Sequence, residues 1–179
     1  AFRHHIYHMP FRGMAWRAHK TLLRFGNDGI GTKEAWANFQ PKGLAGLQYI
    51  RRMGATYSSS TFIGLVGLID GTSGLEHGQR LSIFSYGSGC CAEFYCAKTG
   101  PNASGTAAAA GLRSKLDARR VVDVAEYERI ETQRTKWAEC GNYDVALDDP
   151  HHWYDTFYRG KGLLTFRGMK DFYRQYVWS

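Results

Sequence analysis

Apolar residues recur in steps of three and four at Phe11, Met14, Ala15, Ala18, Leu22 and Phe25. That spacing predicts an amphipathic helix over 11–25 with those side chains turned inward. Residues 2–8 read as a short strand or loop running into Pro10, a residue suited to the first turn of the helix. The segment Gly26-Asn27-Asp28-Gly29 stops it. A second helix is expected over 41–53, after Pro41. A third is expected over 58–70, capped by Ser58 or Ser59, with Phe62, Leu65, Val66 and Ile69 inward and Gly71 at its end. Gly64 and Gly67 are costly inside a helix, so close packing against another element is expected there. Residues 80–87 alternate like a strand, Gly87-Ser88-Gly89 turns, and 90–97 return, which predicts a hairpin. Residues 99–112, rich in Gly, Ala, Ser and Thr, read as a low-complexity loop. Residues 123–139 read as a helix with Val124, Tyr127 and Ile130 on one side. Asp148-Asp149-Pro150 reads as a turn, 163–168 as a strand, and the aromatic tail 173–178 as packed. No internal repeat or second domain is visible, and the order of elements predicts a layered α/β fold.

Composition narrows the function classes. The 179 residues are 44% hydrophobic, enough for one globular domain with a sizeable core. The longest apolar run, 62–69, is far shorter than the roughly 18 residues a membrane span requires. The chain opens Ala-Phe-Arg-His-His, so an internal piece of a longer product is expected. A net charge of +7 suggests acidic or phosphorylated partners, although charge alone favours the plain reading of a slightly basic soluble protein, and no nucleic-acid motif is present. Cys90, Cys91, Cys96 and Cys140 contain no Cys-x-x-Cys pair, so reduced, buried thiols in a cytoplasmic protein are expected.

Three constellations carry candidate chemistry. His8, in His8-Met9-Pro10-Phe11, stands at the mouth of the first helix, where a neutral imidazole can donate to a carbonyl or shuttle a proton. The plain alternative is a histidine tied to backbone. Ser85-Tyr86-Gly87-Ser88-Gly89 is a turn of small residues whose N–H groups can stabilise an oxyanion, or an ordinary hairpin turn. Arg17, Lys20 and Arg24 form a basic stripe on the first helix, either solvated or able to hold a phosphate. Two weaker groups, His4/His5/His8 and Asp148/Asp149/His151/His152, lack a metal-ligand pattern, and no metal is expected.

Taken in order, Tyr7-His8-Met9-Pro10-Phe11, Gly54-Ala55-Thr56-Tyr57-Ser58 and Phe84-Ser85-Tyr86-Gly87-Ser88-Gly89 resemble the C-terminal half of 3-hydroxy-3-methylglutaryl-CoA synthases, of the thiolase superfamily. The likeness runs through Gly160-Lys161-Gly162-Leu163-Leu164 near the end. It implies the C-terminal half of a five-layered αβαβα fold, with the nucleophilic cysteine and the glutamate base on an N-terminal half outside this sequence. It implies an acyltransferase that joins an acetyl thioester to a β-ketoacyl thioester. His8 would be its catalytic histidine, Ser88, Gly87, Tyr57, Pro10 and Phe11 would touch substrate, and Arg24, Arg17 and Lys20 would meet a phosphopantetheine arm. Gly13, where the CoA-using branch tends to have lysine, and Arg24 both resemble the branch that installs β-methyl groups on polyketides. That branch works on acyl carrier protein, with no cofactor beyond the phosphopantetheine or CoA of the substrate. Ala55 departs from an asparagine common in the family. The alternatives are a CoA-dependent synthase of isoprenoid supply and a non-catalytic carrier-binding partner. A homodimer is expected, with no nucleic-acid or membrane partner. Without its other half, the chain is expected to be poorly soluble or to self-associate.

Overall fold

The computed structural model describes residues 1–26, 28–148 and 153–179. The chain divides into two compact units, Ala1–Arg119 and Arg120–Ser179, although no change of composition marks the division.

The first unit is built on β1 (His4–Tyr7), β2 (Arg80–Gly87) and β3 (Cys91–Lys98), in that order across the sheet. β1 runs parallel to β2, with His5 opposite Ser82 and Tyr7 opposite Phe84. β2 and β3 form the expected antiparallel hairpin, with Gly87 opposite Cys91. The two-residue period of a strand sorts the side chains. His4, Ile6, Leu81 and Ile83 share one face, and His5, Tyr7, Ser82 and Phe84 share the other.

Helices cover both faces. On the Tyr7 side pack α1 (Arg12–Gly26), α2 (Thr32–Gly43) and α3 (Leu47–Met53), through a cluster of Tyr7, Met9, Ala15, Phe39, Leu47 and Ile50. On the Ile6 side, α4 (Ser59–Gly71) brings Leu68 and Leu65 onto Ile6, Leu81 and Ile83. Gly64 and Gly67 do serve close packing. A Cβ on Gly67 would lie 3.1 Å from the Gly46 carbonyl oxygen, in the 3-10 turn Leu44–Gly46, and one on Gly46 would lie 3.2 Å from the Gly64 carbonyl oxygen. Only glycines let these backbones meet.

Several expectations are corrected. α1 begins at Arg12, so Pro10 precedes the helix. Its buried residues are Ala15 and His19, while Phe11, Leu22 and Phe25 are exposed. A whole helix, α2, precedes the expected second one, and Pro41 lies within it near its end. α2 forms because Ala35 and Phe39, one turn apart, are both fully buried; Trp36 and Phe39 then pack on Trp16 at ring distances of 5.1 and 5.7 Å. Ser58 makes no side-chain cap on α4, and Phe62 is exposed. Much of the expected loop 99–112 is helical, as α5 (Ala103–Ala110), with α6 (Leu112–Asp117) following. Alanine is the strongest helix former, and Gly111, in the left-handed region at φ 57°, closes α5.

The second unit contains α7 (Val124–Ala138), β4 (Tyr143–Asp144), α8 (Tyr154–Phe157), β5 (Leu164–Lys170) and β6 (Tyr173–Trp178). Its sheet is antiparallel in the order β4-β5-β6. Asp123 caps α7, its carboxylate accepting the Glu126 N–H at 2.8 Å. Trp137 of α7 stacks on Tyr143 at 5.0 Å. Val124 and Tyr127 are exposed, and the tail expected to pack is the exposed edge strand β6. Of the turn expected at 148–150, Asp149 and Pro150 lie outside the described residues, as do His151 and His152. Among the described residues no helix is long and apolar enough to cross a membrane.

Candidate active site

β1 and β2 run parallel, and their C-terminal ends open side by side, the usual place for a site in such a sheet. His8 is the first residue past β1. Its backbone N–H donates to the Phe84 carbonyl at 2.7 Å, extending the ladder by one step. The next N–H, of Met9, donates to Ser60 Oγ at 3.1 Å. Ser60 is fully buried in the first turn of α4, and Met9 is 2% exposed. His8 is therefore clamped on both sides by backbone bonds to two different elements.

The His8 ring is held differently. It meets the Tyr86 ring edge to face, with centroids 5.2 Å apart and planes at 81°. Its Nδ1 is buried and has no hydrogen-bond partner among the described residues. A buried nitrogen left unpaired is costly and calls for an explanation; His4 Nδ1 is in the same condition.

Tyr86 leads into the Gly87-Ser88-Gly89 turn. Gly87 and Ser88 are exposed at the end of β2. Ser88–Cys90 form a single 3-10 turn in which Gly89 (φ 76°) and Cys90 (φ 58°) are left-handed. Glycine accepts that conformation freely, and Cys90 adopts it at a cost. Tyr57 lies in the loop before α4, itself left-handed at φ 50° and exposed. Its carbonyl accepts the Ser60 N–H at 3.1 Å, so the Tyr57 loop and the Met9 clamp share one residue. Ala55, in the same loop, is exposed and presents a methyl group where an amide was the family expectation.

The basic residues of α1 do not behave as one stripe. The Arg17 guanidinium lies 5.9 Å above the Phe11 ring, one residue beyond Pro10. Lys20 Nζ donates to Thr32 Oγ1 at 2.9 Å, toward α2. Arg24 is exposed in the last turn.

A second group of polar side chains lies behind the site and was not anticipated. His19 is fully buried. Its Nε2 bonds Asn38 Oδ1 at 3.1 Å and its Nδ1 bonds the Tyr7 hydroxyl at 2.8 Å. The amide oxygen only accepts, so Nε2 carries the proton and Nδ1 accepts from the phenol. Burial pushes the His19 pKa down and the Tyr7 pKa up, so both stay neutral. His5 lies 5.1 Å from the His19 ring and bonds Ser82 Oγ through Nδ1 at 2.6 Å. Burial first, then repulsion with a second proton at His19 and with the Lys42 charge, take its pKa down to about 4. The only sequence signal for this group was that His19 falls one turn after Ala15, on the same helix face.

Among the described residues no group of three or more His, Cys, Asp or Glu is arranged to hold a metal. All four cysteines are free. Cys90, Cys91 and Cys96 are exposed rather than buried, because the hairpin turn and the edge strand β3 carry them.

Known proteins match this chain in sequence and fold. Residues 31–174 match the family described as hydroxymethylglutaryl-coenzyme A synthase C terminal, a match that runs across both compact units. The polyketide biosynthesis 3-hydroxy-3-methylglutaryl-ACP synthase PksG of Bacillus subtilis is 31% identical over 180 aligned residues, covering 99% of this chain and 42% of PksG. The crystal structure of the curacin biosynthetic pathway HMG synthase in complex with apo donor-ACP superposes with a TM-score of 0.87 at 30% identity, over 99% of this chain and 44% of that one. MvaS in complex with 3-hydroxy-3-methylglutaryl coenzyme A superposes at 0.73 with 28% identity, over 99% of this chain and 41% of that one. The chain thus spans less than half the length of each of these relatives. Its mixed α/β fold is the thiolase-like one of the HMG synthases, and the chain belongs to the hydroxymethylglutaryl-coenzyme A synthase C-terminal family.

Proposed function

We propose that this chain supplies the histidine-bearing half of an enzyme that condenses an acetyl thioester with a β-ketoacyl thioester, working on acyl carrier protein for β-branching in polyketide biosynthesis. The observation that carries the reading is His8. Its main chain is fixed by Phe84 and Ser60, and its buried Nδ1 is unpaired beside the Ser85-Gly89 turn. The chain's similarity to PksG and to the curacin HMG synthase supports the carrier-dependent branch.

On this reading the other half of the fold provides a cysteine and a glutamate. The cysteine thiolate displaces the donor thiol and holds the acetyl group as a thioester. The glutamate takes a methyl proton, and the enolate carbon attacks the β-ketone of the acceptor. Water then cleaves the enzyme thioester. His8 positions the acceptor carbonyl and supplies a hydrogen bond to its developing alkoxide. Backbone N–H groups of the Gly87-Ser88 turn serve the thioester oxyanion. Pro10, Phe11 and Tyr57 border the substrate, and Arg17, Lys20 and Arg24 meet the phosphopantetheine arm. No cofactor beyond that arm is required. The assembly is a homodimer in the cytoplasm, without nucleic-acid or membrane partners.

The similarity to MvaS bound to 3-hydroxy-3-methylglutaryl coenzyme A favours a second reading, a synthase that uses free CoA thioesters. One experiment addresses both. The enzyme and its His8→Asn variant are supplied with acetyl and acetoacetyl groups on carrier protein or on CoA, and acetyl-enzyme and product are followed by mass spectrometry. His8→Asn is expected to keep acetyl transfer and to lose condensation by about 10²–10⁴-fold. Undiminished condensation in the variant would sink the role of His8. Faster turnover on CoA than on carrier would select the second reading.

A further inference from the structure

The segment that carries His8 has few means of holding its main chain. β1 ends at Tyr7, and Pro10 brings no N–H. Between them only His8 and Met9 have N–H groups to bond. The first donates to the Phe84 carbonyl and continues the sheet. The second leaves the sheet and donates to a side chain, Ser60 Oγ, at 3.1 Å in the first turn of α4. α4 meets Met9 again one turn on. A Cβ on Gly64 would overlap the Met9 methyl group, so a bare glycine seats that side chain. Ser60 and Gly64, spaced i, i+4, share one face of the helix, and both are buried, as is Met9. Met9 is thus held by its backbone at one point and by its side chain at another.

We propose that Ser60 is the positioning residue for His8. With Gly64 it forms a two-point seat for Met9, and that seat fixes where the adjoining imidazole points. The assignment rests on the reading of His8 in condensation and names what aims the ring. Ser60 is not placed against either thioester. It acts one residue away, through a main chain whose rotations at His8 and Met9 set the direction of the ring. The ring has little else to direct it: Nδ1 is unpaired among the described residues, and the ring packs edge to face on Tyr86. A misplacement of about 1 Å can cost a reaction on the order of 10²-fold. Loss of the Ser60 bond is therefore expected to fall on the step that uses His8. Acetyl transfer, assigned to the cysteine of the other half, is expected to be spared. Ser60, Gly64 and Met9 are buried within the first unit itself.

The test uses the whole synthase that carries this chain, well below the thermal midpoint of each variant. Acetyl-enzyme and condensation product are followed separately by mass spectrometry, on whichever of carrier-protein or CoA thioesters the unaltered enzyme turns over. Ser60→Ala is expected to keep acetyl transfer within about twofold and to lower the condensation kcat about 10–100-fold, with the acceptor KM little changed. Ser60→Cys, close in volume and a weak acceptor, is expected to fall between the two; it carries the comparison if Ser60→Ala is not recovered folded. Added to His8→Asn, Ser60→Ala is expected to cost nothing further, because it acts through the missing ring. If His8→Asn loses condensation while Ser60→Ala slows both steps alike or neither, Ser60 is structural only and the assignment is overturned. A full effect of Ser60→Ala in the absence of His8 overturns it equally. If the unaltered enzyme does not condense, or His8→Asn condenses normally, the reading of His8 falls first and Ser60 with it.

Discussion

His5 makes the first unit sensitive to acid, and the size of the effect follows from its surroundings. The ring faces Ser82 Oγ at 2.6 Å, the His19 ring at 5.1 Å, Tyr7 at 6.2 Å and Phe2 at 6.0 Å, with the Lys42 and His4 charges also acting on it. None of these neighbours is a carboxylate, so a proton on His5 would be buried against cationic and neutral groups alone. Its pKa falls from 6.5 to about 4 on folding. A lowered histidine pKa means that the unfolded chain binds more protons between those two values. Stability is then fully present above pH 6.5 and is lost as pH falls from 6.5 toward 4. Each pH step of one within that window is worth about 1.4 kcal/mol. The loss between pH 7 and pH 5 therefore comes to about 2 kcal/mol, or about 1–2 after allowing for the ring's partial exposure. His19 and His4 are shifted the same way and add to it. The perturbation is His5→Asn, which keeps a polar group near Ser82 and removes the titration. Urea unfolding of both proteins at pH 7 and pH 5, followed by circular dichroism, gives the two losses. The unaltered protein is expected to lose about 1–2 kcal/mol more than the variant. Equal losses would refute the reasoning, because other titrating groups are common to both proteins.

Three further substitutions test the packing. Gly67→Ala places a methyl 3.1 Å from a backbone oxygen that cannot rotate away, so a destabilisation of about 1–3 kcal/mol is expected in denaturant unfolding. Ser60→Ala removes the acceptor for the buried Met9 N–H and is expected to cost about 1–3 kcal/mol; its unfolding midpoint in urea, compared with that of Ser59→Ala at an exposed position, isolates the buried bond. Asp123→Ala removes the N-cap of α7 and is expected to cost about 1 kcal/mol, read as lost helical amplitude or a lower midpoint.

Strict local periods were legible. The hairpin β2–β3 alternates and carries its own turn residues, and α4 shows its small-residue face as Gly64 and Gly67. Where burial is decided by a partner far along the chain, local pattern misleads. Leu22 and Phe25 outweigh Ala15 and His19 on any hydrophobicity scale, yet α1 buries the latter pair because Tyr7 and Asn38 stand ready to bond the imidazole. Pro41 suits a first turn, where N–H groups are unpaired anyway, yet it falls near the end of α2, where its missing N–H forfeits an intrahelical bond and the burial of Ala35 and Phe39 fixes the helix nonetheless. The parallel pairing of β1 with β2, which joins His5 to Ser82 across 77 residues, leaves no local trace. His8 could be picked out by its motif. Ser60 could not, because a serine bonded to a backbone N–H 51 residues away resembles any other serine near a helix start.

Two histidines on this short stretch separate into roles by hydrogen-bond accounting. His19 has both ring nitrogens engaged, one by Asn38 and one by Tyr7, and is fully enclosed. Such a ring has one tautomer and no free lone pair, and its contribution is to hold α1, α2 and β1 together. His8 has the opposite pattern. Its backbone N–H and that of Met9 are committed to Phe84 and Ser60, whereas its Nδ1 is buried and unpaired. Fixing the main chain while leaving the ring unsatisfied costs stability and gains a ring pre-positioned to bond something else. Under the proposed function, pre-positioning is what a carbonyl turning into an alkoxide would demand of its donor, since no reorganisation is then left to the moment of reaction.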